Sequence, residues 1–211
     1  MVSAGSHQQE LRDQWGSLRA WIEDSGLLDH RTEQSVLEAW NVHELVTHVG
    51  RSFLGFTLLG PERGRDPKSL RDYIADYGSS AQEIADGTKQ LARSFEADVL
   101  AGIDNCARLG LRALEKLDVE VVRGPLGPIR LDDFVVTRLI ELVVHGDDLG
   151  RSVPAVAPPP LLDAPLGVVS QALSTAYSDV TGRRPEIDDH LDWIRRATGR
   201  LPSDDTALPL L

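Results

Sequence analysis

Apolar residues recur at helical spacing over most of the chain. From Gln8 to Leu28, the residues Leu11, Trp15, Leu18, Trp21 and Ile22 fall mostly three or four apart, which predicts an amphipathic helix ending near Gly26. Residues 29–35 are polar and read as a connection. A second helix is expected to start at Trp40-Asn41-Val42-His43-Glu44. Asn41 can accept from the free N–H groups of the first turn, and Glu44 completes a capping-box pair. It runs through Leu45, Val46, Val49, Phe53 and Phe56 to about Leu59, where Gly60-Pro61 stops it.

Residues 61–68 are rich in Gly, Pro and charge and predict a loop, followed by a short helix from Ser69 to about Tyr77. From about Ala81 to Leu117 the residues Ile84, Leu91, Phe95, Val99, Ile103, Ala107, Leu111 and Leu114 lie largely on one stripe, interrupted by Gly87 and Gly102. Between Val119 and Leu131 two β-branched pieces flank Gly124-Pro125-Leu126-Gly127-Pro128, the pattern of a small hairpin or an extended excursion. Asp132 or Asp133 is then expected to cap a fourth long helix reaching Gly150. Prolines at 154, 158, 159, 160 and 165 mark a semi-rigid linker, and two more helices are expected at about 166–181 and 188–198. The expected fold is all-α, a four-helix bundle with a small β excursion before the fourth helix and a short C-terminal helical extension. The expected division is a bundle over 1–152, a proline-rich linker over 153–165 and the extension over 166–211.

Composition narrows the partners. Of 211 residues, 41% are hydrophobic and 26% charged, the balance of a globular protein rather than a disordered or fibrous one. A net charge of −11 argues against nucleic acid as the main partner, since binding phosphates requires a basic face. No run approaches the roughly 18 apolar residues of a membrane span. The first ten residues also lack the charged and then apolar regions of a signal peptide. The expectation is a cytoplasmic protein that does not partner a membrane. One cysteine, Cys106, leaves no internal disulfide and no cysteine-based zinc cluster.

Candidate chemistry sits on the second and fourth helices. His48 follows Leu45 by three and precedes Val49 and Ser52, so it lies on or beside the apolar stripe and should point inward. His43, five residues earlier and rotated by about 500° at ~100° per residue, should face solvent. On the fourth helix Phe134, Arg138, Glu141, His145 and Asp148 repeat at spacings of four, three, four and three and share one stripe. Taken alone, that stripe reads as a solvated face with i,i+4 pairs, and His48 as a hydrogen-bonded core residue. Taken together, His48, Glu141 and His145 form a set of two histidines and a carboxylate with no fourth protein ligand. Such a set leaves a position open on zinc for water or substrate, and it also suits non-haem Fe(II). A di-iron bundle fits poorly, because it needs Glu-x-x-His on two helices and two further glutamates.

Two segments, Trp40-Asn-Val-His-Glu-Leu-Val-Thr-His48 and Arg138-Leu-Ile-Glu141-Leu-Val-Val-His145-Gly-Asp-Asp148-Leu, resemble the paired motifs of the mycothiol-dependent maleylpyruvate isomerase family. That family belongs to the DinB-like metal-binding bundles. The resemblance covers roughly residues 8–150, with a fainter likeness from Trp193 to Arg200. It implies a DinB-like bundle holding a divalent metal, usually zinc, on His48, Glu141 and His145, with a low-molecular-weight thiol such as mycothiol as co-substrate. Such a protein acts as an isomerase of the maleylpyruvate type or as a thiol S-transferase. A thiolate would add to an activated alkene, after which bond rotation and elimination of the thiolate would give the isomer, or the adduct would be released as a thioether. Arg138 or a C-terminal arginine is the candidate to neutralise a substrate carboxylate, and Asp148 either orients a ligand or pairs with an arginine near the helix end. The sequence departs from the motifs at Asn41, Glu44 and Asp147, the last replacing a tryptophan and expected to add charge beside the pocket. A metal hydrolase or lyase on the same bundle, and a non-catalytic metal-binding regulatory module, are the alternative readings.

Overall fold

Short polar side chains start several of the helices in the computed structural model, which describes residues 6–211. Helix α1 spans Ser6–Asp24. Helix α2, Val42–Arg51, opens on a complete capping box: Glu44 N–H donates to Asn41 Oδ1 at 2.8 Å, and Asn41 N–H donates to Glu44 Oε2 at 3.0 Å. Its continuation, Ser52–Leu58, tightens to a 3-10 helix where the Ser52 hydroxyl donates back to the Val49 carbonyl. Strand β1 is the two-residue piece Gly60–Pro61, and helix α3 covers Leu70–Ala75.

The long third stripe folds as two helices, α4 (Ala81–Ser94) and α5 (Val99–Leu114). The break falls at Phe95–Asp98, between the two glycines. Asp98 adopts an extended backbone and its side chain accepts from Ala101 N–H, a new N-cap that restarts the helix. The Phe95 ring then packs on Gly102, where a Cβ would come within 2.3 Å of the ring. A single rod cannot provide that contact, since residues seven apart in a helix are separated by about two turns.

The expected hairpin is present as β2 (Val121–Gly124) and β3 (Gly127–Arg130), with β1 added on the β2 edge to give an antiparallel sheet in the order β1-β2-β3. Helix α6 then runs from Leu131 to Ser152. Its N-cap position is Arg130, without a side-chain cap, because β3 feeds directly into the helix. Asp132 and Asp133 lie in the first turn, where their charge suits the positive end of the helix dipole, so the expected aspartate cap is not formed. Helix α7 covers Asp163–Thr181, and helix α8, His190–Ala197, is capped by Asp189.

The bundle core lies between α1, α2, α5 and α6, with α4 against α2. Leu18, Ile22, Leu45, Val49, Ile103, Leu139 and Val143 are wholly buried in it. Helix α7 packs on α6, α3 and α1, and α8 packs on α7. Through these contacts Val169, Leu173, Trp193 and Ile194 join the same hydrophobic cluster. The proline-rich stretch is fastened to α1. Gln14 bonds both the Pro160 carbonyl and the Leu162 N–H, and Trp21 Nε1 donates to the Ala157 carbonyl. No helix among the described residues is long and apolar enough to cross a membrane.

Candidate metal centre

The capping box fixes where α2 begins and hence which side chains its inner face carries. Leu45, Val46, His48 and Val49 are all buried. The stripe on α6 faces inward as well. Arg138, Glu141 and His145 side chains are only 13–15% exposed and Asp148 not at all. It therefore does not behave as a solvated face. The reason lies in packing, because α6 is enclosed by α1, α2, α3 and α7 and has little surface left to offer solvent.

His48 Nε2 lies 3.0 Å from Glu141 Oε2, and His145 Nε2 lies 3.2 Å from the same oxygen. One donor atom from each of the three residues falls within 4.8 Å of the other two. A tetrahedral zinc with bonds of about 2.0–2.1 Å keeps its ligand atoms roughly 3.3 Å apart, so this set fits a small divalent cation with little movement. The second nitrogens point outward to partners. His48 Nδ1 is 3.4 Å from Thr88 Oγ1 on α4, and His145 Nδ1 is 3.0 Å from Asp148 Oδ2. Both Nε2 atoms are thereby left for the shared point. Trp40 stacks on His48 with ring centroids 4.4 Å apart and meets the His145 ring edge-on at 6.0 Å.

The electrostatics divide the two imidazoles. Burial pushes His48 down to about 4, against the opposing pull of Glu141, so it is neutral near pH 7. Burial would also lower His145, but its hydrogen bonds to Asp148 and Glu141, with the charges of both, outweigh that and push it up to about 9. Burial opposes ionisation of Glu141 too, yet the hydrogen bonds from the two histidines hold its carboxyl well below the ordinary value. Without a cation, the centre is a Glu141 carboxylate paired with a protonated His145.

A cavity of about 420 Å³ opens beside His48 and Glu141. Arg51, Tyr77 and Arg138 supply polar groups to its wall, and Leu54, Leu126 and Phe134 supply apolar surface. The Arg138 guanidinium is fixed on three sides. Nη2 donates to the Tyr77 hydroxyl at 2.5 Å, Nη1 to the Ser52 carbonyl at 3.3 Å and Nε to Thr137 Oγ1 at 3.1 Å. It lies 3.9 Å from Glu141 Oε1 and 5.0 Å from the Phe134 ring centre.

Three of the five residues singled out from sequence thus converge on one point, His48, Glu141 and His145, and Arg138 lies beside them, 3.9 Å from Glu141 Oε1. Asp148 stands behind His145, where it also meets Arg200 on the C-terminal segment. Two other expectations are corrected. Asp147 does not line the cavity. Arg195 of α8 holds it in a bidentate pair at 2.6 and 2.9 Å, so its charge is neutralised away from the pocket. His43 is half-buried rather than solvent-facing, because the segment after α1 folds back on the start of α2. There, His43 N–H donates to the Arg31 carbonyl and Val42 N–H to the Glu33 carbonyl. Thr88, Tyr77 and Arg200 carried no pattern that singled them out. The faint likeness around Arg200 and the expectation of an arginine partner for Asp148 pointed to its segment without singling out the residue.

The family model for the mycothiol maleylpyruvate isomerase N-terminal domain matches residues 11–150. No curated protein and no solved structure matches the chain.

Proposed function

The chain belongs to the mycothiol maleylpyruvate isomerase N-terminal domain family, and on that premise we propose that it is a divalent-metal-dependent enzyme with a small thiol, such as mycothiol, as co-substrate. Its reaction is isomerisation of the maleylpyruvate type or thiol S-transfer to an electrophilic small molecule. His48, Glu141 and His145 are the metal ligands, and zinc is the metal that the family resemblance favours among those the donor set suits. The observation that carries this reading is the convergence of the three donor atoms within 4.8 Å, beside a cavity large enough for a small molecule.

A cation held there would supply Lewis acidity that lowers the pKa of a bound thiol and so favours its thiolate at neutral pH. The chain's own residues supply the rest. His48 is neutral and needs no deprotonation to act as a ligand near pH 7. Glu141 brings the single negative charge of the donor set. Arg138 is pre-oriented by Tyr77, Ser52 and Thr137, so it can receive a substrate carboxylate without first being ordered. Leu54, Leu126 and Phe134 offer apolar surface to the carbon skeleton and displace water from it.

Metal analysis of the purified protein, beside His48→Ala and Glu141→Ala, tests the ligand set. About one equivalent of metal is expected in the wild type and a tenfold or greater loss of affinity in each variant. Stoichiometric metal retained in both variants would remove these ligands. Turnover of an electrophilic enoic acid is expected to need added thiol and to stop with a chelator. Metal-dependent turnover that needs no thiol would favour a hydrolase or lyase instead.

A further inference from the structure

We propose that Arg200 is a positioning residue that sets the orientation of His145 through Asp148, so that the C-terminal segment completes the outer shell of the metal centre. The inference rests on His145 being a metal ligand. Asp148 Oδ2 accepts from His145 Nδ1 at 3.0 Å and from Arg200 Nη2 at 2.9 Å, while Oδ1 lies 3.3 Å from Arg200 Nε. The carboxylate is wholly buried. A buried carboxylate without a counter-charge is strongly disfavoured, and without Arg200 it would turn away from its present place. That movement would release the His145 ring, because a carboxylate partner is what fixes a ligand's tautomer and plane. Arg151 is the other cation nearby, but its Nη1 stays 3.6 Å from Asp148 and its side chain is 36% exposed.

Arg200 is itself held from its own segment. Its Nη1 donates to the Thr198 carbonyl at 2.7 Å and its N–H to the Arg195 carbonyl at 2.7 Å. Two consecutive acids on α6 therefore take two arginines from the end of the chain, Asp147 with Arg195 and Asp148 with Arg200. Of the two acids, Asp148 is the one bonded to a proposed ligand. The two pairs resemble each other in charge and location but should differ in effect. Arg195 fastens α8, whereas Arg200 fastens α8 and also orients His145.

The test is zinc affinity of the metal-free full chain, by chelator competition, measured beside the midpoint of its thermal unfolding. Arg200→Met is expected to weaken zinc binding about 10–100-fold, with Arg200→Lys recovering part of that. Arg195→Met is expected to lower the midpoint while leaving zinc affinity within about threefold of wild type. Arg200→Met with affinity within that range overturns the inference, as does an equal weakening by Arg195→Met. If Arg200→Met does not fold, wild-type affinity in Arg200→Lys overturns it. His145→Ala separates the two layers. Zinc lost in His145→Ala but kept in Arg200→Met sinks this inference alone, and a wild type that takes up no zinc sinks it together with the ligand set.

Discussion

At His145, burial favours the neutral ring while Asp148 and Glu141 favour the charged one, and the two carboxylates win. The consequence for stability has a definite sign. The folded imidazole titrates at about 9 against an ordinary 6.5, so the stability it contributes is full below pH 6.5 and is lost as pH rises through 9. Metal-free protein is therefore expected to show a falling urea midpoint between pH 6.5 and 9.5, and His145→Gln to show little of that fall. A flat profile in the wild type would contradict the Glu141–His145 ion pair. His48 runs the other way: folded near 4, it contributes stability above pH 6.5 that is lost as pH falls through 4. The inward direction of His48 was legible from its place beside Leu45 and Val49. The opposite titration of two similar histidines was not, since it depends on Asp148 and its hydrogen bond rather than on the ring itself.

Between elements, the approach of α5 to α2 and its continuation is set by missing side chains. A Cβ on Gly50 would lie 2.5 Å from Ile103 Cβ, and one on Gly110 would lie 2.1 Å from the Phe53 carbonyl oxygen. Gly110→Ala is expected to destabilise by about 1–3 kcal/mol, because the clash is with backbone that cannot rotate aside. Gly16→Ala on α1, where nothing lies within 4 Å of the added carbon, should stabilise by roughly 0.5–1 kcal/mol through helix propensity. Urea unfolding of the two variants checks both signs. Asn41→Ala should cost about 1 kcal/mol by removing the cap of the helix that carries His48. That cap, the hairpin at 121–130 and the stop at Gly60-Pro61 are local chemistry, readable in a few adjacent letters. The break at Phe95–Asp98 was less legible, because the apolar stripe continues across it and the packing of Phe95 on Gly102 shows only in three dimensions.

On the scale of the whole molecule, the residues after Ser152 are built into the bundle rather than hung from it. Pro159 sits on Gly150, where a Cβ would come within 2.4 Å of it, and Val169 and Leu173 are fully buried. Tyr177 and Trp193 meet edge-to-face at 5.6 Å over that joint core. A chain ending at residue 152 is expected to bind a hydrophobic dye and to lose cooperative unfolding, since it would expose apolar surface on α1 and α6. Unfolding of that fragment in one step at the full-length midpoint would show that α7 and α8 add nothing to the core. The prolines at 154–165 mark that stretch in the sequence. Their attachment to Gln14 and Trp21 was not legible there, because those partners lie 136–148 residues away.

Periodicity, caps and turn residues determined the helical class, the hairpin and the two motif-bearing helices from the letters alone, because each depends on residues a few positions apart. The same patterns placed Glu141, His145 and Asp148 on one stripe of α6, since the turn of a helix fixes angles about its own axis. They could not say whether that stripe meets water or protein. The answer came from α2 crossing α6, which brings together His48 and Glu141 across 93 positions, and from the end of the chain, which carries Arg200 to Asp148 across 52. Contacts of that range depend on how finished elements pack against one another, and a helical period carries no record of its neighbour.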